Sequence, residues 1–262
     1  MGYDESFLSA AVPLPRAAAE TLLLAYPRFS DALDPARRLA AVTGVNIDGA
    51  SLRDIARTGD WELDARVRAD QQAGPEVYAR NDLDRGHLVR RRDPGWGTAA
   101  DARAATEATF VYPNAAPQAA VFNQSKDLWL GLEDHVLAYA DAGGRRVSVF
   151  TAPVLDADDP PYRGIRIPRR FWKVAAWTDA GRLTAAGFVL DQSDLISTTA
   201  DALTVAPLAA FRTFQVPIAD IAERAAVDLG PLQDADVYEP PTSARGTESW
   251  MLLRDPADIE LG

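Results

Sequence analysis

The apolar positions of the chain fall mostly in short blocks bounded by turn residues, and few blocks keep a helical period. Arg38–Ile47 reads as a buried strand closed by the turn signal Asp48-Gly49, and Arg146–Thr151 as a second strand. Arg170–Trp177 and Leu183–Leu190 read as two strands joined at Asp179-Ala180-Gly181, a hairpin signal. Phe214-Gln215-Val216 runs into Pro217, with a helix expected over Ala219–Val227. The clearest helix spans Lys126–Tyr139, where Leu128, Trp129, Leu132, Val136 and Tyr139 form one apolar stripe. Asp134 lies opposite that stripe, and Glu133 and His135 lie on its margins. Shorter helices are expected over Arg16–Leu24 and Ala99–Thr106, and a β-prone run over Thr109–Tyr112, stopped by Pro113. Ser51–Asn81 is polar and irregular, a long surface excursion. Strands joined by hairpins, with helices grouped elsewhere, predict an α+β fold.

Length and composition refine this picture. With 262 residues, 47% hydrophobic and 25% charged, a folded core is within reach. Residues 1–30 are expected to form an arm packed on a single domain over 31–262. No apolar run approaches the roughly 20 residues a membrane span needs, so no membrane association is expected. No secretory signal is visible, which makes the cytoplasm the default location. Met1-Gly2-Tyr3-Asp4-Glu5-Ser6 fits the loose myristoylation pattern, and is read as a chance match. The chain has no cysteine and two histidines, which excludes disulfides and makes a structural zinc site a poor fit; a metal here would be a hard, oxygen-bound ion.

A net charge of −11 argues against nucleic-acid binding through bulk charge. The distribution changes that reading. Arg85, Arg90, Arg91 and Arg92 form the densest basic run, and Arg145, Arg146, Arg163, Arg166, Arg169, Arg170 and Lys173 follow. A local basic surface on an acidic body is therefore expected. One of the two histidines, His87, sits inside that run, in Asp84-Arg85-Gly86-His87. A neutral imidazole can take a proton from water near neutral pH. Arg85 offers a forked donor to a phosphate. Gly86 would allow close approach, and Asn123, just ahead of the predicted helix, offers a neutral oxygen to a magnesium ion.

Asp84-Arg85-Gly86-His87 resembles the signature of the DNA/RNA non-specific endonucleases, the ββα-metal (His-Me finger) group, in its bacterial form. Thr109-Phe110, Asn114-Ala115-Ala116-Pro117-Gln118, Phe122-Asn123-Gln124 and Trp129 through Leu132-Glu133-Asp134 follow in family order. Asn46-Ile47-Asp48-Gly49 and Gln215-Val216-Pro217-Ile218 resemble its flanking elements, so the likeness runs from about Tyr26 to about Leu229. It implies a central antiparallel sheet flanked by helices, with His87 on a β-hairpin and Asn123 at the start of the crossing helix.

The resemblance also implies roles. His87 would be the general base, Asn123 the direct protein ligand of Mg²⁺ (Mn²⁺ or another divalent ion substituting), and Arg85 a phosphate contact. Glu133 would orient metal-bound water, and Asn114 would hold the geometry. Arg66 would stabilise the transition state, with Arg68 as rival. Two departures stand out. Asn123 and Glu133 are ten positions apart (133 − 123), more than in some members, and Leu137 occupies a place where some members carry an arginine. Arg90, Arg91 or Arg92 would then supply that phosphate contact. The implied activity is magnesium-dependent endonucleolytic hydrolysis of DNA and RNA, leaving 5′-phosphate ends. The alternatives are a nucleic-acid-binding relative without activity and a small-nucleotide phosphodiesterase. A homodimer, and an inhibitor or activating partner to gate the activity, are further expectations.

Overall fold

The computed structural model describes residues 2–120, 129–199, 202–205, 212–240 and 249–261. Ten strands and three helices carry the argument: β1 Leu22–Tyr26, β2 Phe29–Asp34, β3 Leu39–Asp48, β4 Leu83–His87, α1 Ala99–Ala108, β5 Ala115–Ala119, α2 Trp129–Gly143, β6 Arg146–Val154, β7 Arg170–Asp179, β8 Arg182–Asp191, β9 Arg212–Val216, α3 Ile218–Ala225 and β10 Met251–Leu253. Eight of the strands form one antiparallel sheet in the order β10-β9-β8-β7-β6-β3-β2-β1. This is the expected α+β architecture.

Both faces of the sheet are covered, which explains the continuous apolar runs of its central strands. One face buries Phe29, Ile47, Val149, Phe171, Trp177 and Phe188 against Leu132, Val136, Leu137 and Ala140 of α2 and against the β4–β5 pair. The other buries Phe150, Trp172, Val174 and Val189 against Ile218 and Ile221 of α3 and against Phe7, Leu8 and Val12 of the N-terminal segment. The β7–β8 hairpin closes with Ala180 and Gly181 at φ 46° and 78°. Positive φ at both corners is what a type I′ turn requires, and it matches the twist of the strands.

Three expectations are corrected. Arg16–Leu24 is not a helix: Leu22–Tyr26 is the edge strand β1. Leu24 and Tyr26 turn into the core while Leu23 and Ala25 stay out, a period of two. Pro27 and Arg28 (φ 71°) form the turn into β2. Thr109–Tyr112 is not a strand: Thr109 caps α1, Val111 makes one bridge to Glu62, and Tyr112–Asn114 form a 3₁₀ turn around Pro113, which has no N–H for a ladder. Lys173 does not belong to a basic surface, because it is buried at the centre of β7. The other arginines after residue 160 largely tie loops: Arg163 donates to the carbonyls of Glu76 and Ala79, and Arg166 and Arg169 to those of Asp159 and Asp158.

Helix α2 reaches the sheet through Gly49, directly after β3. Gly49 N–H donates to Arg145 O at 2.9 Å. A Cβ at position 49 would fall inside the van der Waals radius of Ala140 O on α2. Backbone offers no rotamer to relieve such a clash, so Gly49→Ala must displace the helix. The expected loss is about 1–3 kcal/mol of unfolding free energy in a urea titration, with m unchanged.

Candidate active site

His87 ends β4, which pairs antiparallel with β5 so that His87 faces Ala115 and Gly86 faces Ala116. The two strands are separated by a long insert carrying α1, so the pair is not a tight hairpin. A Cβ on Gly86 would collide with the buried Gln118 side chain, so the glycine of the motif is required here by cross-strand packing. Asn114 then fixes the chain just past His87. It is fully buried; its Oδ1 accepts from Val89 N–H at 2.7 Å, and its Nδ2 donates to Val89 O and Thr109 O at 2.9 Å each. Leu88 N–H donates to Asn114 O at 3.0 Å. One amide thus joins the histidine strand to the end of α1.

The His87 ring lies between aromatic walls. Its centroid is 4.6 Å from Trp61 and 4.9 Å from Phe110, the latter edge-on at 88°. Thr109 Oγ1 is 3.4 Å from His87 Nε2, and the same hydroxyl donates to Thr106 O at 2.7 Å. With its proton directed to Thr106 O, that hydroxyl is free to accept from Nε2, an arrangement that would leave the Nδ1 lone pair open. Burial pushes the imidazole down to about 3, helped by the charges of Arg57, Arg91, Arg90 and Arg85. The ring is therefore neutral at ordinary pH.

The arginines divide into two groups. Arg85 and Arg57 are exposed and make no ion pair among the described residues; the Arg85 guanidinium lies 5.8 Å from the Trp61 ring centre, and that of Arg57 lies 5.7 Å from Phe110. The others are engaged. Arg66 is held by Asp64, with Nη2–Oδ2 at 2.6 Å and Nε–Oδ1 at 2.9 Å, and Tyr26 O–H also donates to that carboxylate. Arg68 forks onto Asp70 at 2.8 and 2.9 Å. Arg90 bonds to Asp134 and lies 3.7 Å from Glu133. Arg91 donates to Ile55 O at 2.8 Å, and Arg92 is half-exposed, 3.9 Å from Asp134.

Glu133, on α2, lies with Oε1 3.4 Å from Lys173 Nζ and Oε2 next to Arg90. Asn123 lies outside the described residues, as do Phe122 and Gln124. Among the described residues no three His, Asp or Glu side chains converge as a metal cage. Leu137, at the place of an expected arginine, is buried core.

Trp61 and Arg57 were not singled out from the sequence. They lie in the polar stretch, and the signal was a tryptophan amid Arg57-Thr58-Gly59-Asp60. What brings Trp61 to His87 is backbone pairing: Glu62 N–H donates to Phe110 O at 3.0 Å, and Tyr112 N–H to Glu62 O at 2.9 Å. A separate cleft of about 430 Å³, lined by Leu52, Arg53, Asp54, Arg92, Asp134, Leu137, Ala138 and Asp141, does not include His87. Its two arginines face three aspartates, so it gives an anion no net attraction.

A relative from Sinorhizobium fredii (strain NBRC 101917 / NGR234), the uncharacterized protein y4fB, is 37% identical over 287 residues, covering 99% of this chain. The chain spans 42% of the length of that relative. A chain in the crystal structure of the EndoG/EndoGI complex, a study of EndoG inhibition, shares the fold with a TM-score of 0.60 at 18% identity, covering 78% of this chain and 84% of that one. The sequence profile of the DNA/RNA non-specific endonucleases matches residues 11–235, and the chain therefore belongs to that family.

Proposed function

We propose that the chain is a divalent-cation-dependent endonuclease acting on DNA and RNA, with His87 as its general base. The observation that carries this reading is the setting of His87: a neutral imidazole with Nε2 facing the Thr109 hydroxyl, beside two arginines that have no carboxylate partner among the described residues. In the proposed step Nδ1 takes a proton from water, the water oxygen attacks phosphorus, and the bond from phosphorus to O3′ breaks; O3′ leaves with a proton taken from solvent, giving a 5′-phosphate and a 3′-hydroxyl end. An anionic phosphate beside the ring would offset the arginine charges and so raise the imidazole pKa from its depressed value, the part due to burial remaining.

Asn123 would hold Mg²⁺ as the direct protein ligand; when bound, the ion would supply positive charge beside the leaving oxygen. The chemistry of the donors suits this. Each oxygen of Glu133 already faces a cation, which favours an outer role, orienting water, over direct ligation. Arg57 is the better second phosphate contact, because its guanidinium is held by a ring, whereas Arg66 and Arg68 are neutralised by Asp64 and Asp70. Arg85 has the same character. An inhibitor or activating partner, and a homodimer, belong to the same proposal.

Three outcomes test the reading. Wild-type protein should nick plasmid DNA and degrade RNA with Mg²⁺ and stop on adding chelator, and His87→Ala should lose about 10²–10⁴-fold in rate with an unchanged circular-dichroism spectrum. Turnover of a dinucleotide without cleavage of either polymer would overturn it.

Arg57→Ala should lower kcat by about 10²-fold with the melting temperature unchanged, as expected for a lost charge on the transition state. A wild-type rate would return that role to Arg66 or Arg68.

The third outcome is a pH dependence of stability. A histidine depressed to about 3 when folded contributes stability that is complete above its unfolded value of about 6.5 and is lost as the pH falls towards 3. Between about pH 6.5 and 4.5, wild type should lose stability relative to His87→Gln by up to about 1.4 kcal/mol per pH unit. Parallel curves of melting temperature against pH would contradict the assigned environment.

A further inference from the structure

Lys173 is the buried charge that the chemistry above does not use. It stands in the middle of β7, its side chain 2% exposed, between the largely apolar strands β6 and β8. A lone ammonium there would be costly, so its partners carry information. Nζ donates to Thr151 Oγ1 on β6 at 2.8 Å and lies 3.4 Å from Glu133 Oε1 on α2. The other oxygen of Glu133 faces Arg90 Nε at 3.7 Å, and Arg90, itself 13% exposed, also bonds to Asp134 one residue further along α2. Arg90 is three residues past His87 and next to Val89, the residue gripped by Asn114. Asp93 completes the group from the same loop: it is 5% exposed, and burial first, then Glu133, pushes its carboxyl up to about 7 against the opposing pull of Arg90, Lys173 and Arg92. It therefore does not compete as a full charge for Lys173 near neutral pH.

A continuous path of charge pairing thus runs from the rigid centre of the sheet (Lys173), through the helix (Glu133), to the loop that follows the histidine (Arg90). We propose that Lys173 is a positioning residue of the nuclease site: it fixes the Glu133 carboxylate and, through it, the alignment of the histidine half of the site with the helix half. Of the three links, Lys173 is the one anchored in the sheet. Glu133 and Arg90 lie on elements whose relative position must be set, and the lysine sets it from a strand bonded on both sides. A carboxylate with a cation on each oxygen is also kept from turning, which is what a group orienting water needs.

The proposal rests on the nuclease reading, and the two fail separately. Wild type, Glu133→Gln, Lys173→Met and the double variant are compared for DNA cleavage with Mg²⁺, with kcat and KM resolved. Lys173→Met should lose about 10–100-fold in kcat with KM for DNA little changed, the usual effect of removing a residue that orients a catalytic group. In the double variant the lysine change should cost nothing beyond Glu133→Gln, since the residue acts through the glutamate. A wild-type kcat in folded Lys173→Met, or losses that multiply in the double variant, overturns the positioning role. If Lys173→Met does not fold, the double variant, in which both buried charges are removed together, decides by the same comparison. Absence of cleavage by wild type would instead overturn the nuclease reading itself.

Discussion

A buried amide must have its donors and acceptor paired, and Asn114 meets that demand by binding two chain segments at once. Its side chain closes both hydrogen bonds of Val89 and reaches the Thr109 carbonyl at the end of α1. Much of the site follows from this. The backbone past His87 is fixed, Thr109 is brought to Nε2, and the 109–112 segment becomes the template on which Glu62 lays Trp61 against the imidazole. Asn114 touches none of the reacting atoms proposed here, yet the hydroxyl that faces Nε2 and the walls of the histidine both depend on it.

The histidine and the arginines are complementary in charge. Positive groups around an imidazole disfavour a second proton, and burial between Trp61 and Phe110 does so more strongly. On the proposed reading the same positive groups would attract a phosphate, whose negative charge would offset theirs. The −11 of the whole chain does not cancel this, because surface charges beyond a Debye length of about 10 Å are screened. Local placement, and not net charge, decides what the surface can bind.

The long strands were legible because both sheet faces are covered, so Arg38–Ile47, Arg170–Trp177 and Leu183–Leu190 stand out as apolar blocks with a turn signal between the last two. Leu22–Tyr26 was not, since three consecutive leucines suit a helix as well as an edge strand whose outer side chains stay in water. In the site, the histidine motif and Asn114 were visible as residue patterns. Trp61 was hidden because its place is set by backbone bonds from Glu62 to Phe110 and Tyr112, far along the chain, and no local spacing encodes such a pairing. The burial of Lys173 was hidden for a related reason: a lysine after Phe171-Trp172 looks like the basic residues before it until the neighbouring strands are in place.

The arginines show what a sequence count cannot. A guanidinium paired with a carboxylate is positioned but neutralised, and a phosphate must break that pair to use it. A guanidinium resting near an aromatic ring is restrained while its charge and its in-plane donors stay open. Arg66, Arg68 and Arg90 are of the first kind. Arg57 and Arg85 are of the second, and the rings that hold them, Phe110 and Trp61, are the two that wall His87. The aromatic residues therefore serve twice: one pair of side chains shields the histidine and also lies against two cations that have no carboxylate partner among the described residues. On the proposed reading a phosphate drawn to those cations would be held beside the imidazole, so the residues that shield one side of the ring would also bring the substrate to the other.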